Sequence, residues 1–343
     1  MKLSEFMPES ELCLDAHIPI KSAFPVFDAH SHWGRLLLGD DFADKYDTAE
    51  VVAALRDKGL CGVTNLDGEW GDNLLRMLEK TASAGDFIKT FGSADLSDVD
   101  RPDFESFTWK TLRDSRAAGI SGLKFWKIVG LSIKDRAGRY ITPDDARIKC
   151  VWQAAGELGL PVTFHIADPT AFFKPIDRYN ERYEELGAHP DWAFNAPGLY
   201  SFTGLMEMQE RMIAENPKTT FIIAHVGSYS ENLAAVGRWL GKYPNMYVDI
   251  AERIGELGRQ PYTAHDFFVR YADRILFGTD SYPTRTADYY NTYFRFLETK
   301  DEYFRYDPSP NGNQGRWRIY GLGLPKKVLK NVYYENARRI LGL

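Results

Sequence analysis

Pro25-Val26-Phe27-Asp28-Ala29-His30-Ser31-His32-Trp33-Gly34 (25–34, PVFDAHSHWG) is a short apolar run ending in two histidines two residues apart. Nearly continuous apolar runs bounded by turn residues read as strands buried on both faces. Seven more follow: CGVTNL (61–66), FIKTFGS (87–93), ISGLKFW (120–126), PVTFHI (161–166), TTFIIAH (219–225), NMYVDI (245–250) and RILFGTD (274–280). A helix-like segment comes after each. Strand–helix alternation repeated eight times, over about 250 residues, is the pattern of an α/β (β/α)8 TIM barrel. A doubly wound open sheet is the alternative. It would carry a Gly-rich phosphate loop after the first strand, and His30–Gly34 is not one.

Helix boundaries carry their own signals. Thr142-Pro143-Asp144-Asp145 predicts an N-cap, a proline at the first helical position and acids on the positive end of the dipole. Gly59, Gly85, Gly119 and Gly159 each stand just before a strand and are expected as left-handed C-caps. Residues 1–24 form an N-terminal extension, and 25–343 read as a single (β/α)8 domain. Two segments exceed a minimal barrel: 167–200 after the fifth strand and 281–324 after the eighth. Loops that follow strands gather at the C-terminal mouth, so both are expected as walls or a lid of the active site. Oligomer contacts are the alternative use of these loops, which leaves a homo-oligomer open.

The 343-residue chain is 44% hydrophobic, 26% charged and 14% aromatic, with a net charge of -6. An acidic balance argues against nucleic-acid or anionic-membrane partners, which need a basic face. Cys13, Cys61 and Cys150 fit neither a disulfide framework nor a C-x-x-C metal site, which favours a reducing compartment. The first residues contain no apolar run of signal-peptide length, and no stretch approaches a membrane span. A cytoplasmic protein acting on a small molecule is the expectation.

Of the seven histidines, His30, His32, His165 and His225 fall at the C-terminal ends of the predicted first, fifth and sixth strands; Asp280 ends the eighth. The C-terminal ends of barrel strands converge on one small space. His30 and His32, two apart in an extended chain, point to the same side. Two imidazoles from one strand, a third from a distant strand and a carboxylate make an N3O set that suits Zn²⁺, and also Mn²⁺, Fe²⁺ or Co²⁺. A lone His-x-His is a weak signal, and a single buried histidine bonded to backbone is common. The joint placement of all five residues is what points to a metal.

Phe27-Asp28-Ala29-His30-Ser31-His32 resembles the first-strand signature of the amidohydrolase superfamily. The chain order is similar too: Lys124 in GLKFW, His165 on the fifth strand, His225 in IIAHVG, Asp280 in LFGTDSYP and the closing NVYYENARRILGL. The resemblance covers about residues 25–343 and lies in the amidohydrolase-2, or amidohydrolase-related, branch of metal-dependent TIM-barrel hydrolases. It implies a mononuclear site with His30, His32, His165 and Asp280 as ligands and His225 beside the metal. Superfamily members with two metals use a carboxylated lysine on the fourth strand. Lys124 stands about there, and its alternative role is to hydrogen-bond the substrate.

The expected cofactor is one divalent ion, Zn or Mn, with a second metal open through Lys124. The expected chemistry is attack of metal-activated water on a lactone, ester or amide carbonyl. Asp280 serves as ligand and proton acceptor, and His225 polarises the carbonyl. No G-x-S-x-G elbow supplies a rival nucleophile. Glu69, Asp168, Glu252, Arg253 and Tyr282 follow strands and are candidate substrate contacts; a salt-bridged structural role is the alternative for each. The branch also contains nonoxidative decarboxylases and hydratases, so lyase chemistry on a small carboxylic acid is the runner-up. A barrel that binds metal or ligand without turnover is the third reading.

Overall fold

The computed structural model describes residues 1, 6, 8–307 and 314–343. Eight strands, β1 (Val26–Ser31), β2 (Leu60–Glu69), β3 (Ile88–Gly92), β4 (Gly122–Phe125), β5 (Val162–Phe164), β6 (Phe221–Ile223), β7 (Met246–Asp249) and β8 (Ile275–Leu276), form one sheet in sequence order. All seven ladders are parallel. The ring closes just past β8. Ala29 N–H donates to Phe277 O at 2.9 Å, Asp280 N–H to His30 O at 2.7 Å and His32 N–H to Ser281 O at 2.8 Å. The (β/α)8 barrel read from the apolar runs is therefore the fold.

The strands are buried because side chains on both of their faces are covered. The inner face fills the barrel and the outer face packs on helices. Phe125, Trp152, Phe164 and Phe221 show the second contact: Trp152, on helix Lys149–Glu157, packs edge-on against Phe125 at 4.8 Å and Phe221 at 6.1 Å. The chain end seals the last strand. Asn336 Nδ2 donates to Ala272 O and Ile275 O, both at 2.8 Å, and Phe277 N–H donates to Val332 O at 2.9 Å.

Three boundaries differ from expectation. Thr142–Asp145 does not start a helix; turns run there, and the helix begins at Lys149. The acids are engaged elsewhere: Asp144 accepts from Arg211 Nε at 2.6 Å, and Asp145 takes the Arg147 guanidinium and backbone N–H. They are therefore not capping groups. Glu69 does not follow β2 but ends it, pairing with Gly92 across a register shift after Asn65. Of the four glycines, Gly119 is a left-handed C-cap (φ 118°), while Gly85 (φ 56°, ψ -133°) sits inside a 3-10 turn.

The segment before β1 lies against the loop that follows β8. His17 N–H donates to Asp301 Oδ2 at 2.7 Å, and Ala23 N–H donates to Glu298 Oε1 at 3.0 Å. No helix among the described residues is long and apolar enough to cross a membrane.

Candidate metal centre and active-site cavity

The strand ends bring His30, His32, His165, His225 and Asp280 to one end of the barrel, but the compact ligand cluster among the described residues is His30, His225 and Asp280, without the expected His32 and His165. His30 lies in β1, His32 just after it, His165 just after β5, His225 after β6 and Asp280 after β8. His30 Nε2 and His32 Nε2 stand 3.6 Å and 3.1 Å from the same Asp280 oxygen, Oδ1. The rings of His30 and His225 are 4.9 Å apart, and those of His165 and His225 4.3 Å. Ligand atoms of His30, His225 and Asp280 all fall within 4.8 Å of one another. The backbone is bent to achieve this: His225 (φ 59°), Glu252 (φ 52°) and Asp280 (φ 61°), after β6, β7 and β8, all adopt the left-handed region. Such residues persist only where the surroundings enforce them, and they gather at functional sites.

A layer of carboxylates aims the imidazoles. Asp249, the last residue of β7 and fully buried, takes His30 Nδ1 at 2.9 Å, His225 N–H at 2.9 Å and Ala251 N–H at 3.1 Å. Asp67 takes His32 Nδ1 at 3.2 Å, and Ala251 O takes His225 Nδ1 at 2.8 Å. Asp28 accepts from His30 N–H, Thr279 and Tyr290, and burial brings its carboxyl up to about 7. Where Nδ1 carries the proton and donates, as Asp249 and Ala251 O favour for His30 and His225, Nε2 is left unprotonated and faces inward; His32 stands between two carboxylates, Asp67 at Nδ1 and Asp280 at Nε2. None of these acids was singled out in the sequence. Asp249 and Asp67 obey the same rule as Asp280, being polar residues at the ends of apolar runs.

Burial keeps the imidazoles neutral: His30 is held low, His165 falls to about 4 and His225 lies well below the ordinary value. His32 moves the other way, because Asp280 and Asp67 outweigh its burial. Burial pushes Asp280 up, but His30, His32 and His225 outweigh it and hold the carboxyl well below its usual range. Burial lowers Lys124, on β4, to about 8, with Asp280, Asp249 and Asp67 partly offsetting this. The buried His165 Nε2 has no hydrogen-bond partner. It lies 3.2 Å from Asp168 Oδ1, close enough for an ion pair but not aligned as a hydrogen bond. Imidazoles of which three are kept neutral by burial, one of them with an orphaned Nε2, and an ionised carboxylate are the donor set a divalent cation takes.

The centre opens on a cavity of about 1220 Å³ at the C-terminal mouth, lined by His165, Asp168, His225, Glu252, Arg253 and Asp280 among others. Both long loops wall it. Phe172, Arg182 and Trp192 come from the first, and Arg285, Tyr289 and Tyr306 from the second; residues 308–313 of the second loop lie outside the described residues. Asp168 is ion-paired with Lys127. Glu252, whose carboxyl burial raises, accepts from Arg285 at 3.1 Å and Tyr289 OH at 2.8 Å. Glu69 and Tyr282 do not line the cavity: Glu69 takes Arg35 Nε at 2.6 Å, and Arg285 lies 4.9 Å over the Tyr282 ring. Lys127, just after β4, and Arg182 and Arg285, in the two long loops, are not among the sequence candidates, since a lone cation carries no spacing signal.

Asp249→Asn is expected to weaken retention of a divalent ion by about 10–100-fold, because the partner that orients His30 is compromised. Competition with a chelator measures this, and unchanged affinity would remove the positioning role.

The family model described as Amidohydrolase matches residues 27–343. A comparison with curated proteins gives no match. Among solved structures, the chain is similar to the dihydroxybenzoic acid decarboxylase of Polaromonas sp. JS666, a structure with bound manganese and the inhibitor 2-nitroresorcinol. The two are 14% identical over 93% of this chain and 97% of that one, with a TM-score of 0.58. The 2,6-dihydroxybenzoate decarboxylase from Rhizobium is 15% identical over 93% and 99%, with a TM-score of 0.57. The 4-oxalomesaconate hydratase from Rhodopseudomonas palustris is 12% identical over 92% and 95%, with a TM-score of 0.51. At these identities the likeness is one of fold.

Proposed function

The chain belongs to the amidohydrolase family, and from that premise we propose that it is a metal-dependent hydrolase cleaving a lactone, ester or amide carbonyl of a small polar substrate. His30, His32, His165 and Asp280 hold one divalent ion, Zn or Mn. When bound, such an ion supplies Lewis-acid activation of water and of a carbonyl oxygen. The observation carrying this reading is Asp280: its carboxylate is 24% open to the cavity, while one of its oxygens faces two imidazole nitrogens. Asp280 therefore reaches both the metal position and the substrate space, where it accepts a proton from the attacking water and passes it to the leaving group.

In this reading His225 is assigned a role different from the one expected. Its Nδ1 proton goes to Ala251 O and burial keeps the ring neutral, so Nε2 is an acceptor. An acceptor orients water or a substrate hydroxyl and does not stabilise an oxyanion. Lys124, fully buried near Asp280, Asp249 and Asp67, does not line the cavity; in this reading its charge balances those carboxylates, and no second metal is required.

The test is turnover of a lactone, ester and amide panel beside a panel of carboxylic acids, before and after chelation. Acid release from the first panel, lost on chelation and restored by Zn²⁺ or Mn²⁺, is the expected result. Release of CO2 or hydration in the second panel alone replaces the hydrolase with the lyase. Full activity without metal overturns both.

A further inference from the structure

Arg253 stands apart from the other cations of the cavity wall. Lys127, Arg182 and Arg285 each hold a carboxylate: Asp168, Glu256 and Glu252. Arg305 is exposed at the rim. Arg253 is more than nine-tenths buried, yet its one hydrogen bond runs from Nη1 to the backbone oxygen of Glu252 at 2.7 Å. Nε and Nη2 have no partner among the described residues. Neither is fully enclosed, so they open onto the cavity that Arg253 lines. The nearby acids do not reach them. Glu185 and Glu256, whose carboxyls feel the Arg253 charge, both turn to Arg182, Glu185 at 2.8 Å.

A guanidinium taken from water without partners is costly, and its unused Nε–Nη2 edge is a planar pair of donors. That edge matches the two oxygens of a carboxylate. A phosphate dianion fits less well, because Glu252, Glu185 and Asp168 share the wall. We propose that the substrate is a carboxylic acid whose carboxylate docks side-on against Nε and Nη2 of Arg253 while its reacting group lies at Asp280. This deepens the hydrolase reading and rests on it for the position of the reacting group. The carboxylate is a handle and is retained in the product.

The probes are malonate, succinate, glutarate and adipate, each against its monoamide, titrated calorimetrically into the metal-loaded full chain. One carboxylate of the probe stands in for the reacting group at the metal and the other for the handle. At the length that spans the two sites, the diacid is expected to bind about 10–100-fold more tightly than its monoamide, the range of a charge-assisted hydrogen bond. Arg253→Lys keeps the charge but loses the fork and should reduce that ratio to a few-fold; Arg253→Met should bring it to parity. Arg305→Ala should leave it unchanged. Absence of any diacid advantage in the wild-type chain overturns the proposal without need of a variant. So does an advantage that survives in both Arg253 variants at full metal content. Because the readout is binding, failure of the hydrolase reading appears only in the turnover panel and is distinguishable from failure here.

Discussion

Asp280→Asn is expected to lower turnover by about 10²–10⁴-fold, the usual worth of a positioned general base, while metal content falls far less. The substitution is a clean one. Asp280 sits at φ 61°, a conformation that asparagine tolerates nearly as well as aspartate, so little backbone strain is added. An amide oxygen still faces His32 Nε2, which stands 3.1 Å from Oδ1, and His30 Nε2 at 3.6 Å. It cannot accept a proton. Three imidazoles remain to hold the ion. Turnover and elemental analysis on one preparation decide the matter. Near-normal turnover would leave Asp280 as a structural ligand and move the search for the acceptor to His225, whose inward Nε2 is free of a proton. Glu69 is the weaker choice, being engaged by Arg35.

Both His30→Ala and His165→Ala should lose the ion, but at different structural cost. Loss of a metal at about a hundred times its Kd removes roughly 2.7 kcal/mol of stability in either variant. His30→Ala carries a second penalty. It takes the ring from the buried Asp249 carboxylate, and leaving such a group short of a partner costs about 1–3 kcal/mol. His165→Ala has no such debt, because its Nε2 makes no hydrogen bond and Asp168 keeps Lys127. Thermal unfolding with and without chelator separates the two. Wild type and His165→Ala should converge once chelated, with His30→Ala still lower. Unchanged metal content in both variants would refute the ligand assignment.

The barrel was legible because its signal is local and repeated. Eight apolar runs, each covered on both faces, can be counted along the chain, and their ends converge by topology alone. His30, His32, His165, His225 and Asp280 were found by that rule, since a polar residue at the end of an apolar run is conspicuous in one dimension. The helix expected at Thr142 failed because its acids bond to Arg211 and Arg147. A capping pattern does not reveal a competing partner distant in sequence. What each imidazole presents to the cavity was likewise undecided by sequence. Tautomer depends on which acceptor meets Nδ1, and Asp249 lies 219 residues from His30. The difference between Arg253 and Arg182 is of the same kind. As residue types they are identical, and only packing shows that one has its carboxylates and the other turns an unpaired edge to the cavity. Sequence determined the fold and the chemical types gathered at its mouth, because those follow from periodicity along the chain. Tertiary structure decided protonation, pairing and which charges remain available to a substrate, because those depend on distances between residues far apart in sequence.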